Sequence, residues 1–171
     1  MKRAIAVLGA AIILTSLVGC GEEPLGAGRL AESKAPAQLL RVEAVSRVPG
    51  YQVDSMATPD EKSRPCDPSD PEQKERFWRS SVEIFMIDNA SVRPEAIVSD
   101  LVDSFVAQDW VAEDGETSLS TKLTKPALAS TISITRTPME TGGTITIAVD
   151  GPCAMTDGFN DPAVKRLDGR A

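Results

Sequence analysis

Three cysteines, Cys20, Cys66 and Cys153, are the residues best able to do chemistry in this chain, and there is no histidine. A thiol can accept a lipid, pair with a second thiol, attack a carbonyl or hold a metal. The lack of His excludes Ser-His-Asp and Cys-His catalysis. It also removes the imidazole ligand of most catalytic zinc sites and the usual titrating switch near neutral pH. Cys66 and Cys153 have no Cys-x-x-Cys spacing, and two thiolates without imidazole make a poor metal site. No metal site is therefore expected. Gly26-Ala27-Gly28 lacks the preceding strand and the third glycine of a nucleotide loop, so no cofactor is expected either. Asp100 and Asp103 could suggest acid–base work, but their surroundings offer nothing apolar to shift a pKa, and they read as a solvated helix face. There is no Ser-x-x-Lys dyad. A carboxylate pair acting on a glycan is the enzymatic route left open, and no catalytic residue is assigned.

The first cysteine has a distinctive setting. Lys2 and Arg3 precede an apolar run, Ala4 to Val18, broken only by Gly9, Thr15 and Ser16. The run suits a signal peptide and is short for a spanning helix, which needs about 20 apolar residues. It ends in Leu17-Val18-Gly19-Cys20, which resembles the bacterial lipobox: a branched residue and a small residue before an obligatory cysteine. The resemblance implies a diacylglyceryl group on the Cys20 sulfur and cleavage between Gly19 and Cys20. Two acyl chains anchor stably where one would be marginal. The expectation is a signal peptide over 1–19 and an extracytoplasmic protein, lipid-anchored to the bacterial cell membrane. The alternative is an ordinary secretory signal with a chance cysteine. No twin-arginine pair is present, so the general secretion route is expected.

With Cys20 committed to lipid, two thiols remain in an oxidising compartment, where they should bridge. Cys66 lies in Arg64-Pro65-Cys66-Asp67-Pro68 and Cys153 in Gly151-Pro152-Cys153, both loop-like positions at element ends. A bridge closing so long a loop contributes about 4–5 kcal/mol in the chain-entropy picture. Removing residues 1–19 leaves 152 of 171 residues, enough for one domain with a real core. It also removes Lys2 and Arg3, taking the net charge from −7 to −9. That sign argues against nucleic acid as a partner and against holding an anionic membrane by charge alone.

The elements that would position these residues can be read in order. Residues 20–34 are small, polar and Gly-rich, and read as a flexible tether with a reach of roughly 20 Å. Pro36 can sit in a first turn. Leu39, Leu40, Val42, Val45 and Val48 follow at near-helical spacing, predicting a helix over about 36–47 that stops at Pro49-Gly50. Tyr51 and Val53 allow a short strand. Residues 57–75, with four prolines, read as a long loop. Phe77 to Ile87 alternates as a strand. Ser91 could cap a second helix with Pro94 in its first turn and Ile97, Val98, Leu101, Val102 and Phe105 as its apolar stripe. That helix should end near Gln108, with Trp110 packing in the connection. Three more alternating runs follow, around Leu119–Leu123, Ile132–Ile134 and Ile145–Val149, with Gly142-Gly143 turning the chain between the last two. Residues 154–171 read as a loose tail.

The expected fold is a single α+β domain over 35–153, a two-layer sandwich with an antiparallel sheet of about four to five strands packed against two helices. The lipobox, the Gly-rich tether, Val48-Pro49-Gly50-Tyr51, the aromatic-led Phe77-Trp78, the helix ending before Trp110 and Gly151-Pro152-Cys153 together resemble small cell-envelope lipoproteins of actinobacteria. The resemblance implies a cell-envelope location and adds no functional residue beyond Cys20. The expected function is a non-catalytic binding or interaction domain whose partner is an envelope protein or lipid. Carriage of an apolar ligand between sheet and helices is a second reading. A carboxylate-based envelope hydrolase is a third. The exposed sheet face with Phe77, Trp78 and Trp110 is the candidate binding surface, with core packing as the competing assignment for these aromatics. Oligomeric state is left open.

Overall fold

A computed structural model describes residues 25–87, 89, 91, 93–115, 117–140 and 142–169. The expected signal peptide 1–19, the cleavage site at Gly19 and the lipid site Cys20 lie outside the described residues, as do tether residues 20–24. The described residues form three helices, α1 (Leu25–Ser46), α2 (Pro94–Val106) and α3 (Pro162–Leu167). Eight strands accompany them: β1 (Val53–Met56), β2 (Asp60–Pro65), β3 (Glu75–Met86), β4 (Val111–Asp114), β5 (Ser120–Lys125), β6 (Ser130–Pro138), β7 (Gly143–Asp150) and β8 (Ala154–Met155).

Every strand pairing is antiparallel, in the order β1-β3-β7-β6-β5-β4. β2 also pairs with β3, as does β8. The side-chain period of two decides which face is dry. On β3, Trp78, Ser80, Val82, Ile84 and Met86 are buried, while Glu83 and Phe85 are exposed. Register carries that face across the sheet: Ile84 lies opposite Ile145, Val82 opposite Ile147, Ile134 opposite Ile147 and Leu123 opposite Ile132. α1 and α2 cover this apolar face. The other face is wet and rich in hydroxyls, with Ser81, Thr131, Ser133, Thr135 and Thr146 half-buried.

The α+β class and the antiparallel sheet stand, but the sheet has eight strands where about four to five were expected, and there are three helices rather than two. The polar strand β2 lies within the expected loop 57–75. It pairs only with β3, so only one side of it is packed, and Ser63 is its one buried residue. β8 and α3 replace the expected loose tail. Val164 of α3 is fully buried, and Asp168 accepts hydrogen bonds from the Ser63 N–H and hydroxyl at 2.7 and 2.8 Å. That contact satisfies an edge-strand donor that would otherwise face solvent.

The tether reading also fails over 25–34, which form the first turns of α1. Its inner face is Leu30, Ser33, Ala37 and Ala44, all buried, and Val48 just beyond its end is buried as well. Pro36 lies inside the helix, where it donates no backbone hydrogen bond, and packing on the sheet offsets that loss. The small inner residues let the helix approach closely. The Ser33 hydroxyl accepts the Trp78 backbone N–H at 2.9 Å. β7 has just left β3 at this level and β8 has not yet begun, so Ser33 fills a gap in the ladder. Gly151 donates to the Trp78 carbonyl at 2.9 Å beside it.

α2 matches its expected stripe: Ile97, Val98, Leu101 and Phe105 are buried. Its N-cap is Arg93 rather than Ser91, and it makes no side-chain capping bond. The turn into β7 needs glycine, because Gly142 and Gly143 have φ of 70° and 137°. Cys66 and Cys153 are bridged, with Cα atoms 6.2 Å apart, as the compartment argument expects.

Candidate interaction site

The expected binding aromatics do not come together. Trp78 is fully buried and Trp110 is 4% exposed, and both belong to the core. Trp110 meets Phe105 edge-to-face at 5.5 Å. Phe77 sits half-buried on the wet face, with the Arg79 guanidinium 5.6 Å from its ring. Phe77 and Trp78 are neighbours on one strand, so they point to opposite faces of the sheet. The exposed sheet face is therefore hydroxyl-rich and not an aromatic surface.

Trp78 anchors a polar cluster beneath α1 instead. Its indole N–H donates to Glu61 at 2.7 Å. Ser80 and Gln38 donate to the same carboxylate at 2.7 and 2.9 Å. Arg41 donates to the Ser80 hydroxyl at 2.7 Å, and its guanidinium lies 3.7 Å from Glu61. The Lys34 ammonium sits 4.4 Å over the Trp78 ring. Each carboxylate oxygen of Glu61 already has a partner, so this cluster fixes α1 to β2 and β3 and leaves no idle acid or base. Asp100 and Asp103 are exposed on the outer side of α2. No group of three or more metal-ligating side chains is gathered among the described residues.

A concave feature lies at the other end of α1. Its last turn is held in place by Arg47, which donates to the Ser104 carbonyl and hydroxyl and to Gln108, all at 2.9 Å, pairs with Glu43, and lies 3.9 Å over the Phe105 ring. The chain then stops at Pro49-Gly50 and passes through a 3₁₀ turn at Gly50–Gln52 into β1. A Cβ on Gly50 would meet nothing within 4 Å. Between the end of α1, β1 and β3 lies an open recess of about 200 Å³, lined by Val45, Val48, Gly50, Val53, Met56 and Ile84. No charged side chain lines it.

Several apolar side chains are exposed along the second half of α1 and in the segment after it. Tyr51 is 78% exposed, Leu39 70%, and Val42 and Met56 55% each. In the sequence, Leu39 and Val42 count only as part of the near-helical spacing that predicts this helix. The face turned to the sheet carries Leu30, Ser33, Ala37 and Ala44, which leaves Leu39 and Val42 outside. Met56 and Val53 carried no signal beyond a weak alternation.

Asp67 and Lys74, in the loop beyond Cys66, are shifted by their surroundings. The Ser69 hydroxyl and N–H, at 2.6 and 2.8 Å, hold the Asp67 carboxyl below its usual value. Glu72 raises the Lys74 ammonium through a hydrogen bond and its charge. Neither adjoins the recess.

Among the described residues, no helix is long and apolar enough to cross a membrane. Comparison of the chain with protein-family models, with curated proteins and with solved structures finds no match.

Proposed function

We propose that the protein is an extracytoplasmic lipoprotein, held to the cell membrane by a lipid on Cys20, whose domain is a non-catalytic interaction module. The observation that carries the interaction part is the apolar recess of about 200 Å³, with the exposed Met56 on its wall and the exposed Tyr51 next in the chain to its lining residue Gly50. Contiguous apolar surface on a soluble domain marks a place where something docks. The recess is smaller than the roughly 300–1,000 Å³ of ligand pockets. That size favours an apolar side chain of a partner over a whole lipid, and so favours interaction over carriage. The absence of His and the full hydrogen bonding of Glu61 support a non-catalytic role.

The test is a methyl-NMR titration of the folded protein with a capped leucine-containing tripeptide and, separately, with palmitate. The expected result is a saturable shift of the Val45, Val48, Met56 and Ile84 methyls with the peptide and none with palmitate. A stoichiometric palmitate complex would replace interaction by carriage. Silence of these methyls toward both probes would remove the recess from the argument. Intact-mass measurement of the native product tests the lipid on Cys20 independently.

A further inference from the structure

The start of α1 limits how far the domain can stand from its anchor. The helix begins at Leu25, five residue steps from Cys20. Five steps span at most about 17 Å of extended chain. α1 itself, with 22 residues, is about 33 Å long at 1.5 Å per residue. A body of this size on so short a lead cannot leave the bilayer, and the end carrying the first turns of α1 must stay near the headgroups.

Packing and hydrogen bonds identify what shares that end. Leu30 of α1 and Val164 of α3 are both fully buried, and α3 packs against α1. Asp168, just after α3, binds Ser63; Ser63 lies opposite Trp78; and the Trp78 N–H reaches Ser33. α3 therefore lies beside the N-terminal half of α1. It carries Lys165 and Arg166 in its last turn. Phe159, shortly before it, is 44% exposed. Arg29 is exposed on α1. Among the described residues, Arg29, Lys165 and Arg166 have no carboxylate within ion-pair distance.

We propose that this end of the domain, through Arg29, Phe159, Lys165 and Arg166, docks on the anionic headgroups of the membrane that carries the anchor. Long basic side chains reach phosphate while their stems stay on apolar surface. Phe159 adds a ring at the interfacial depth where aromatics settle. Docking stands the domain on its N-terminal end and holds the recess, some 30 Å along α1, out in the aqueous space. The same end also carries Glu32 on α1 and Asp157, Asp161 and Asp168 around α3, the nearby disulfide loop carries Asp67, Asp70 and Glu72, and the whole mature chain is acidic. The patch is therefore too weak to recruit a free domain, and it acts at the high local concentration that the anchor supplies.

The inference rests on the lipid at Cys20, and the experiment separates the two. The lipidated full chain is placed in vesicles of phosphatidylcholine with one quarter phosphatidylglycerol, in vesicles of phosphatidylcholine alone, and in neutral detergent micelles. Intact mass is read first, then hydrogen exchange. In the anionic vesicles, exchange across residues 155–169 is expected to slow at least about threefold relative to micelles. Residues 39–56 should be unchanged. The protection should vanish in phosphatidylcholine alone and in K165E/R166E. Equal exchange in vesicles and micelles, or protection that survives without anionic lipid, overturns the docking surface and leaves the anchor standing. An unmodified Cys20 in the native product overturns the anchor itself, and docking with it.

Discussion

A methyl group added to Gly151 would sit 2.2 Å from the Ser33 carbonyl oxygen, inside any permitted contact. Either α1 or the end of β7 must then move. Gly151→Ala is expected to destabilise by about 1–3 kcal/mol, the range for overpacking, measured as a lower urea midpoint. Glu61 poses the reverse case, in which removal does the damage. Glu61→Ala strands the indole N–H of the fully buried Trp78 and removes an acceptor from the half-buried Gln38 amide. Stranded buried donors cost about 1–3 kcal/mol, and the near-ultraviolet circular dichroism of Trp78 should change with them. Asp67 gives a pH-dependent term. Its folded pKa is lowered from 3.8 by Ser69, so its stabilising contribution is present above that ordinary value and is lost as pH falls through the folded one. Carboxyl NMR titration of Ser69→Ala should show the Asp67 value moving back up.

At the scale of elements, α1 separates spacing from burial. Leu39→Ser and Val42→Ser should each change stability by no more than about 0.5 kcal/mol, because both side chains are exposed. Ala44→Leu, on the buried face, should cost about 1–3 kcal/mol in the same urea assay. The contrast explains how the sequence was legible. Strong alternation named β3, β6 and β7 because both their neighbours are strands and their inner faces are Ile and Val. The stripe of α2 was equally plain. β2 was hidden because an edge strand packed by hydrogen bonds needs few apolar residues, and Asp60–Pro65 has none but its proline. The first turns of α1 were hidden because their fit depends on small residues approaching Trp78 and Gly151, partners about 45 and 118 positions away. The recess was missed for the same reason: Val45, Val53 and Ile84 meet only in the fold. The aromatic surface was misplaced because Phe77 and Trp78 were joined in one patch, although the period of two puts Trp78 on the face of Val82, Ile84 and Met86.

Across the whole molecule, the bridge between Cys66 and Cys153 ties the segment after β2 to the segment before β8 over 87 residues. The double variant C66S/C153S should lose about 2–5 kcal/mol, and urea denaturation with and without reductant would read the same loss in the parent protein. α1 has a consequence of another kind, in time rather than energy. A chain is synthesised, and threaded through any pore, from its N-terminus. α1 therefore emerges first, yet the sheet residues it covers on β6 and β7 arrive more than 80 residues later. Until then Leu30, Ala37, Leu40 and Ala44 travel without their full set of final neighbours. The earliest helix to appear is among the last to be seated, so a holding chaperone that meets this protein in transit should find its grip there.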